Sequence, residues 1–113
     1  MEIIDHAITK ADLERMAQGM FGDLVKAVVD VRRGVMAVDA ELHSDEEALL
    51  LEDGSAQTDL WGINIYPELA AAEMIEFDSM INIRPSQGNR SRGVEDPLIR
   101  DRILTVVRSL VSG

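Results

Sequence analysis

The chain contains no cysteine. Disulfides, thiolate metal sites, cysteine nucleophiles and thiol redox chemistry are excluded with it, and the absence fits a reducing compartment. Histidine is scarce at two residues, and no His-Glu-x-x-His or comparable spacing marks a zinc site, so no metal is expected. Basic residues are few: 11 Lys and Arg face 21 Asp and Glu, for a net charge of −10. That balance argues against non-specific binding to nucleic acid. No apolar run approaches the ~20 residues that would span a bilayer. The opening residues, Met1 to His6, lack the basic region and apolar core of a signal peptide. These absences together predict a cytoplasmic protein with no membrane contact.

What remains is ordinary globular material. The 113 residues suffice for one domain, 1–113, and 46% of them are hydrophobic. Thr9 is a plausible N-cap, with Asp12 three residues on, for a helix over Thr9 to Phe21; Leu13, Met16, Ala17 and Met20 form its apolar face. Leu24 to Arg32 then switches to period two, and Arg33-Gly34 turns it back into Val35 to Ala40 as a hairpin. Ser44-Asp45-Glu46-Glu47 has the form of a capping box and predicts a short helix. Leu60 to Tyr66 and Met74 to Arg84 alternate as strands, the second being the longest. Asp96-Pro97 opens a last helix, with Ile99, Ile103, Val106, Val107 and Leu110 as its stripe. The order α-β-β-α-β-β-α predicts an α+β fold: a four-stranded, mainly antiparallel sheet with the helices packed on one face. Met1 to Ile4 could add a short edge strand.

Charge is unevenly distributed. Residues 61–83 hold 4 acids and no base, whereas residues 84–113 hold 6 arginines and 3 acids. The segment Arg84 to Gly93 is a loop by its Pro, Gly, Ser and Asn content, and it carries Arg84, Arg90 and Arg92 without an acid. Guanidinium forks suit phosphate or carboxylate, so Arg90 and Arg92, with Asn89 and Ser91, form the candidate anion site. Arg84 ends the preceding strand and is expected to serve structure first. No P-loop pattern is present. His43 and Asp78 are the candidate acid–base groups. Ser79 and His43 lack the Gly-x-Ser-x-Gly elbow of a hydrolase. Trp61, the only Trp, lies among alternating Ile residues and is expected in the core. A polar strand face comprising Lys26, Asp30, Arg32, Asn64, Glu76, Asp78, Asn82 and Arg84 is a second candidate contact surface.

Several segments resemble a known family when taken together: Leu42-His43-Ser44-Asp45, Leu49 to Ser55, Leu60 to Pro67, and Phe77 to Pro85 running into Asn89-Arg90-Ser91-Arg92. The chain resembles a family of short bacterial and archaeal proteins catalogued as a domain of unknown function. The resemblance spans nearly the whole length. It implies that this is the complete protein, and it supplies no activity, cofactor or site residue. From the residues themselves, the expected function is a non-enzymatic binding or interaction module, self-associating, that uses the Arg-rich loop and polar sheet face toward a small anionic ligand. The alternative is a small enzyme acting on a phosphorylated or carboxylated metabolite. A third possibility is a regulator whose acidic half pairs with a basic protein.

Overall fold

A computed structural model describes residues 1–112. The chain is an α+β fold built on an antiparallel five-stranded sheet. β1 (Glu2–Ile4) is an edge strand, followed by the two-residue β2 (Ile8–Thr9) and by α1 (Lys10–Gln18). Thr9 and Asp12 close a reciprocal capping box: the Thr9 hydroxyl accepts the Asp12 N–H, and the Asp12 carboxylate accepts the Thr9 N–H. β3 (Val25–Asp30) and β4 (Val35–Val38) form the expected hairpin. Gly34 adopts a φ of 71° in its turn, a conformation that costs a residue without a Cβ little.

The buried Asp30 fixes that turn. Its Oδ1 accepts the N–H groups of Arg32 and Arg33, each at 2.9 Å, and its Oδ2 accepts the Ser55 hydroxyl at 2.6 Å. α2 (His43–Glu52) follows, then β5 (Leu60–Ile65), β6 (Ile75–Glu76), α3 (Pro97–Leu110) and the short β7 (Val111–Ser112). Strand order is β1-β4-β3-β5-β6; β2 and β7 pair in parallel apart from the main sheet.

The register assigns each side chain to a face. Ile4, Met36, Val38, Ala27, Val29, Trp61 and Ile63 meet Leu13 and Ala17 of α1 and Ile103, Val106, Val107 and Leu110 of α3. Trp61 lies in this core as expected. On the other face, Ile3, Ala37, Val28 and Leu60 meet Leu49 and Leu50 of α2 and Ile81.

The α+β class and the antiparallel pairing agree with the sequence reading, but three details differ. The sheet gains β1 and has five strands rather than four. α2 packs opposite α1 and α3, so the helices cover both faces. The strand expected over 74–84 stops after Glu76, and Met80–Asn82 form a 3-10 turn. Ser79 starts that turn by accepting the Ile81 N–H on its hydroxyl. Side-chain chemistry thus displaces strand pairing where alternation alone suggested a continuous strand.

The outer edge of β5 is completed by a side chain. The Gly62 N–H donates to Asn82 Oδ1 at 2.8 Å, and Asn82 Nδ2 donates to the Gly62 carbonyl at 2.9 Å. The Asn82 amide therefore stands where a neighbouring strand's peptide would. Close approach requires glycine: a Cβ on Gly62 would lie 2.5 Å from the Ser79 Cβ.

Candidate functional site

The Arg84–Gly93 loop is mostly committed to structure. Arg84 donates from Nε to the Ile81 carbonyl at 3.1 Å, from Nη1 to the Gln57 carbonyl at 2.7 Å, and from Nη2 to the Leu60 carbonyl. Its guanidinium stacks 4.3 Å from the Trp61 ring centroid. Asn89 is buried; its Nδ2 reaches the Asn82 and Gly93 carbonyls at 2.7 and 2.8 Å, and its Oδ1 accepts the Glu95 N–H. Successive backbone N–H groups at Arg90 and Ser91 could cradle an anion, but Glu95 Oε2 already accepts both, at 2.6 and 2.9 Å. Those bonds hold the Glu95 carboxyl below its ordinary pKa. The Ser91 hydroxyl accepts the Gly93 N–H. The Arg90 side chain is exposed and makes no hydrogen bond among the described residues.

Arg92 turns elsewhere. Its carbonyl accepts the Ser79 N–H and the Asn82 amide, which pins the loop onto the 3-10 turn. Its Nε donates to Asp78 Oδ1 at 2.6 Å. The side chain then lines a cleft of about 160 Å³ together with Lys26, Leu42, His43, Ser44, Ser79, Met80 and Ile81. The cleft thus joins Arg92 of the loop to His43, and Asp78 is ion-paired at its margin; the structure brings these expected site residues together. Arg84, Asn89 and Ser91 lie outside it. The polar strand face is covered in part by α2 and the turn: Asp30 and Asn82 have no exposed surface and Asn64 is buried, whereas Arg32 and Glu76 stay exposed.

α2 explains the cleft's chemistry. Its inward face carries His43, Glu46 and Glu47 at helical spacing, and only Leu49 and Leu50 at its far end are apolar. His43 is 8% exposed. Its Nε2 lies 2.7 Å from the Ile63 carbonyl oxygen. A carbonyl only accepts, so Nε2 carries the hydrogen and Nδ1 carries the lone pair. Burial pushes the His43 pKa down, against the opposing pull of that hydrogen bond. The imidazole is accordingly neutral near pH 7.

Glu46 is fully buried. Its Oε2 accepts the Ala40 N–H at 3.2 Å, its Oε1 has no partner, and burial pushes its pKa up to about 9. The neutral acid does not cancel the charge of Lys26, which makes no ion pair among the described residues and lies 5.2 Å from the Phe21 ring centroid. No side chain caps α2, so the expected Ser44 to Glu47 box is not formed; Leu42 is the N-cap. The exposed Ser44 hydroxyl is left free beside the helix N-terminus, with Asp45 in the same turn. Lys26 enters the sequence reading only as part of the polar strand face, and the vacant cap of α2 was missed because Ser44 to Glu47 has the form of a capping box.

A larger depression of about 650 Å³ lies between β1 and α1, lined in part by Glu2, His6, Asp12, Arg15 and Asp39. Its one guanidinium and its imidazole are spent on neighbours, Arg15 on Asp12 and His6 on Asp5, and the N-terminal amine pairs with Asp39. The smaller cleft, with its unpaired lysine, is the better candidate.

The chain belongs to the family described as "Protein of unknown function (DUF5674)", which matches residues 2–110. No curated protein and no solved structure matches it.

Proposed function

We propose that the protein is a binding module for a small anionic group, held in the cleft between the start of α2, β3 and the Ser79–Ile81 turn. The observation that carries this reading is the convergence of Lys26 and Arg92, from distant parts of a chain with net charge −10, on one cleft of about 160 Å³. Lys26 offers an ammonium without a carboxylate partner. Arg92 spends Nε on Asp78 and keeps its two terminal nitrogens for a ligand. The Ser44 hydroxyl and the uncapped end of α2 add donors and a favourable field. Size limits the ligand to a phosphate, a carboxylate or the anionic head of a small metabolite. Arg90, exposed on the same loop, supplies long-range attraction rather than contact.

Calorimetric titration of the protein with inorganic phosphate and with short carboxylates tests the proposal. Saturable binding is expected, weakened about tenfold by Lys26→Ala and by Arg92→Ala, since a charged hydrogen bond contributes roughly 1.5–3 kcal/mol when desolvated. Arg90→Ala should change the affinity little. Absence of saturable binding in the wild type would reject the site. The enzymatic reading has one observation in its favour: an imidazole oriented by a backbone carbonyl with its other nitrogen free is how a general base is held. Product formation from a phosphorylated or carboxylated ligand during the same titration, abolished in a His43 variant, would favour it.

A further inference from the structure

Nδ1 is the one hydrogen-bonding atom His43 has left, because Nε2 is consumed by the Ile63 carbonyl. It has no protein partner, and it is not among the side-chain atoms sealed from solvent without one. His43 lines the cleft, so Nδ1 is the atom it can offer there. A lone pair in a cleft that also holds two cations is an unusual fitting for an anion. A bare anionic oxygen is drawn to Lys26 and Arg92 but is repelled by the lone pair on Nδ1.

Deepening the anion-binding reading, on which it rests, we infer that the cleft selects an oxyanion that carries its own hydroxyl hydrogen, with the anionic oxygens on Lys26 and Arg92 and the hydroxyl donating to His43 Nδ1. Two kinds of ligand share this chemistry. Hydrogen phosphate carries the O–H on the anionic centre itself, and a 2-hydroxycarboxylate carries it on the adjacent carbon. Sulfate and simple carboxylates, fully deprotonated near neutral pH, carry none. A neutral acceptor in a desolvated position discriminates strongly, because the wrong ligand leaves it unpaired. His43 cannot readily turn itself into a donor: protonation is opposed by burial and by the adjacent helix N-terminus, and tautomer exchange would break its bond to Ile63. Asp78, the carboxylate paired with Arg92, accepts only and cannot supply the missing hydrogen.

The test measures affinities of the wild-type protein at pH 7.5 for phosphate against sulfate, and for glycolate against acetate. The hydroxyl-bearing member of at least one pair should bind about tenfold tighter or more. Which pair shows the preference distinguishes the two sources. Two variants localise it. His43→Gln can keep both features, an N–H for Ile63 and an acceptor for the ligand, and should retain the preference. His43→Leu should bind both members of a pair equally. Equal affinity of the wild type for both members of each pair, with binding still weakened in Lys26→Ala, would overturn the hydroxyl requirement and leave the anion site standing. Failure of all four anions to bind would overturn both. The comparison on the wild type does not depend on either variant folding.

Discussion

Glu46 shows what a single buried carboxyl does to this fold. It has no exposed surface, one hydrogen bond from the Ala40 N–H and an oxygen without a partner. Its pKa rises from 4.5 to about 9, with burial as the main cause, and the Ala40 hydrogen bond and then Lys26 pulling the other way. The consequence for stability has a definite sign. Below about pH 4.5 the group is protonated in both folded and unfolded chains and imposes no penalty. Between pH 4.5 and 9 the unfolded chain releases this proton and the folded chain keeps it, so stability falls as pH rises. By pH 7 the cost reaches up to about 3 kcal/mol. Glu46→Gln removes the titration and preserves the acceptor for Ala40. Urea denaturation should find the variant more stable by up to about 3 kcal/mol at pH 7, with the difference shrinking toward zero at pH 4. An unchanged or lowered stability at pH 7 would show that Glu46 is ionised in the folded protein.

Among the elements, those made by backbone periodicity were legible in the sequence and those made by side-chain substitution were not. α1 and α3 announce themselves through Thr9 and Asp12, through Asp96 and Pro97, and through regular apolar stripes. The β3–β4 hairpin is readable from its change of period and from Gly34. The segment after Glu76 misled because Phe77, Ile81 and Ile83 alternate while its actual partners are polar. No local rule says that Asn82 will replace a strand along Gly62, since the contact joins residues twenty apart. The site follows the same division. His43, Asp78 and Arg92 were readable as residue types, whereas the meeting of Lys26 with Arg92 is a product of α2 crossing the second face. Asn82→Ala tests the element directly. It would leave the buried N–H and carbonyl of Gly62 unpaired, at roughly 1–3 kcal/mol for each group. The expected result is a loss of about 2 kcal/mol or more, with faster hydrogen exchange at the Gly62 amide than at its neighbours on β3. If exchange at Gly62 stayed as slow as in the wild type, the Asn82 amide would not be completing the sheet.

At the scale of the whole molecule, charge and covered faces act together on association. Helices cover both sheet faces, so much of the polar face that motivated self-association is covered within the monomer. The available features include the free edges of β1 and β6, three and two residues long, and exposed apolar side chains, among them Leu98 and, beside the cleft, Leu42 and Met80, with Met80 64% exposed. A short edge is a poor template for pairing. The net charge of −10 adds repulsion between copies. Salt weakens that repulsion, since the screening length falls from about 30 Å at 0.01 M to about 3 Å at 1 M, while apolar contact is unaffected or strengthened. Self-association of this chain should therefore rise with ionic strength, the reverse of an assembly held by opposite charges. Sedimentation at fixed protein concentration in 20 mM and 500 mM sodium chloride reads the difference. A shift toward dimer at the higher salt is expected, reduced by Met80→Ser if the cleft rim is the contact. A dimer that dissociates on adding salt would instead place complementary charges at the interface, with the arginines of residues 84–113 facing the acidic first half of a second copy.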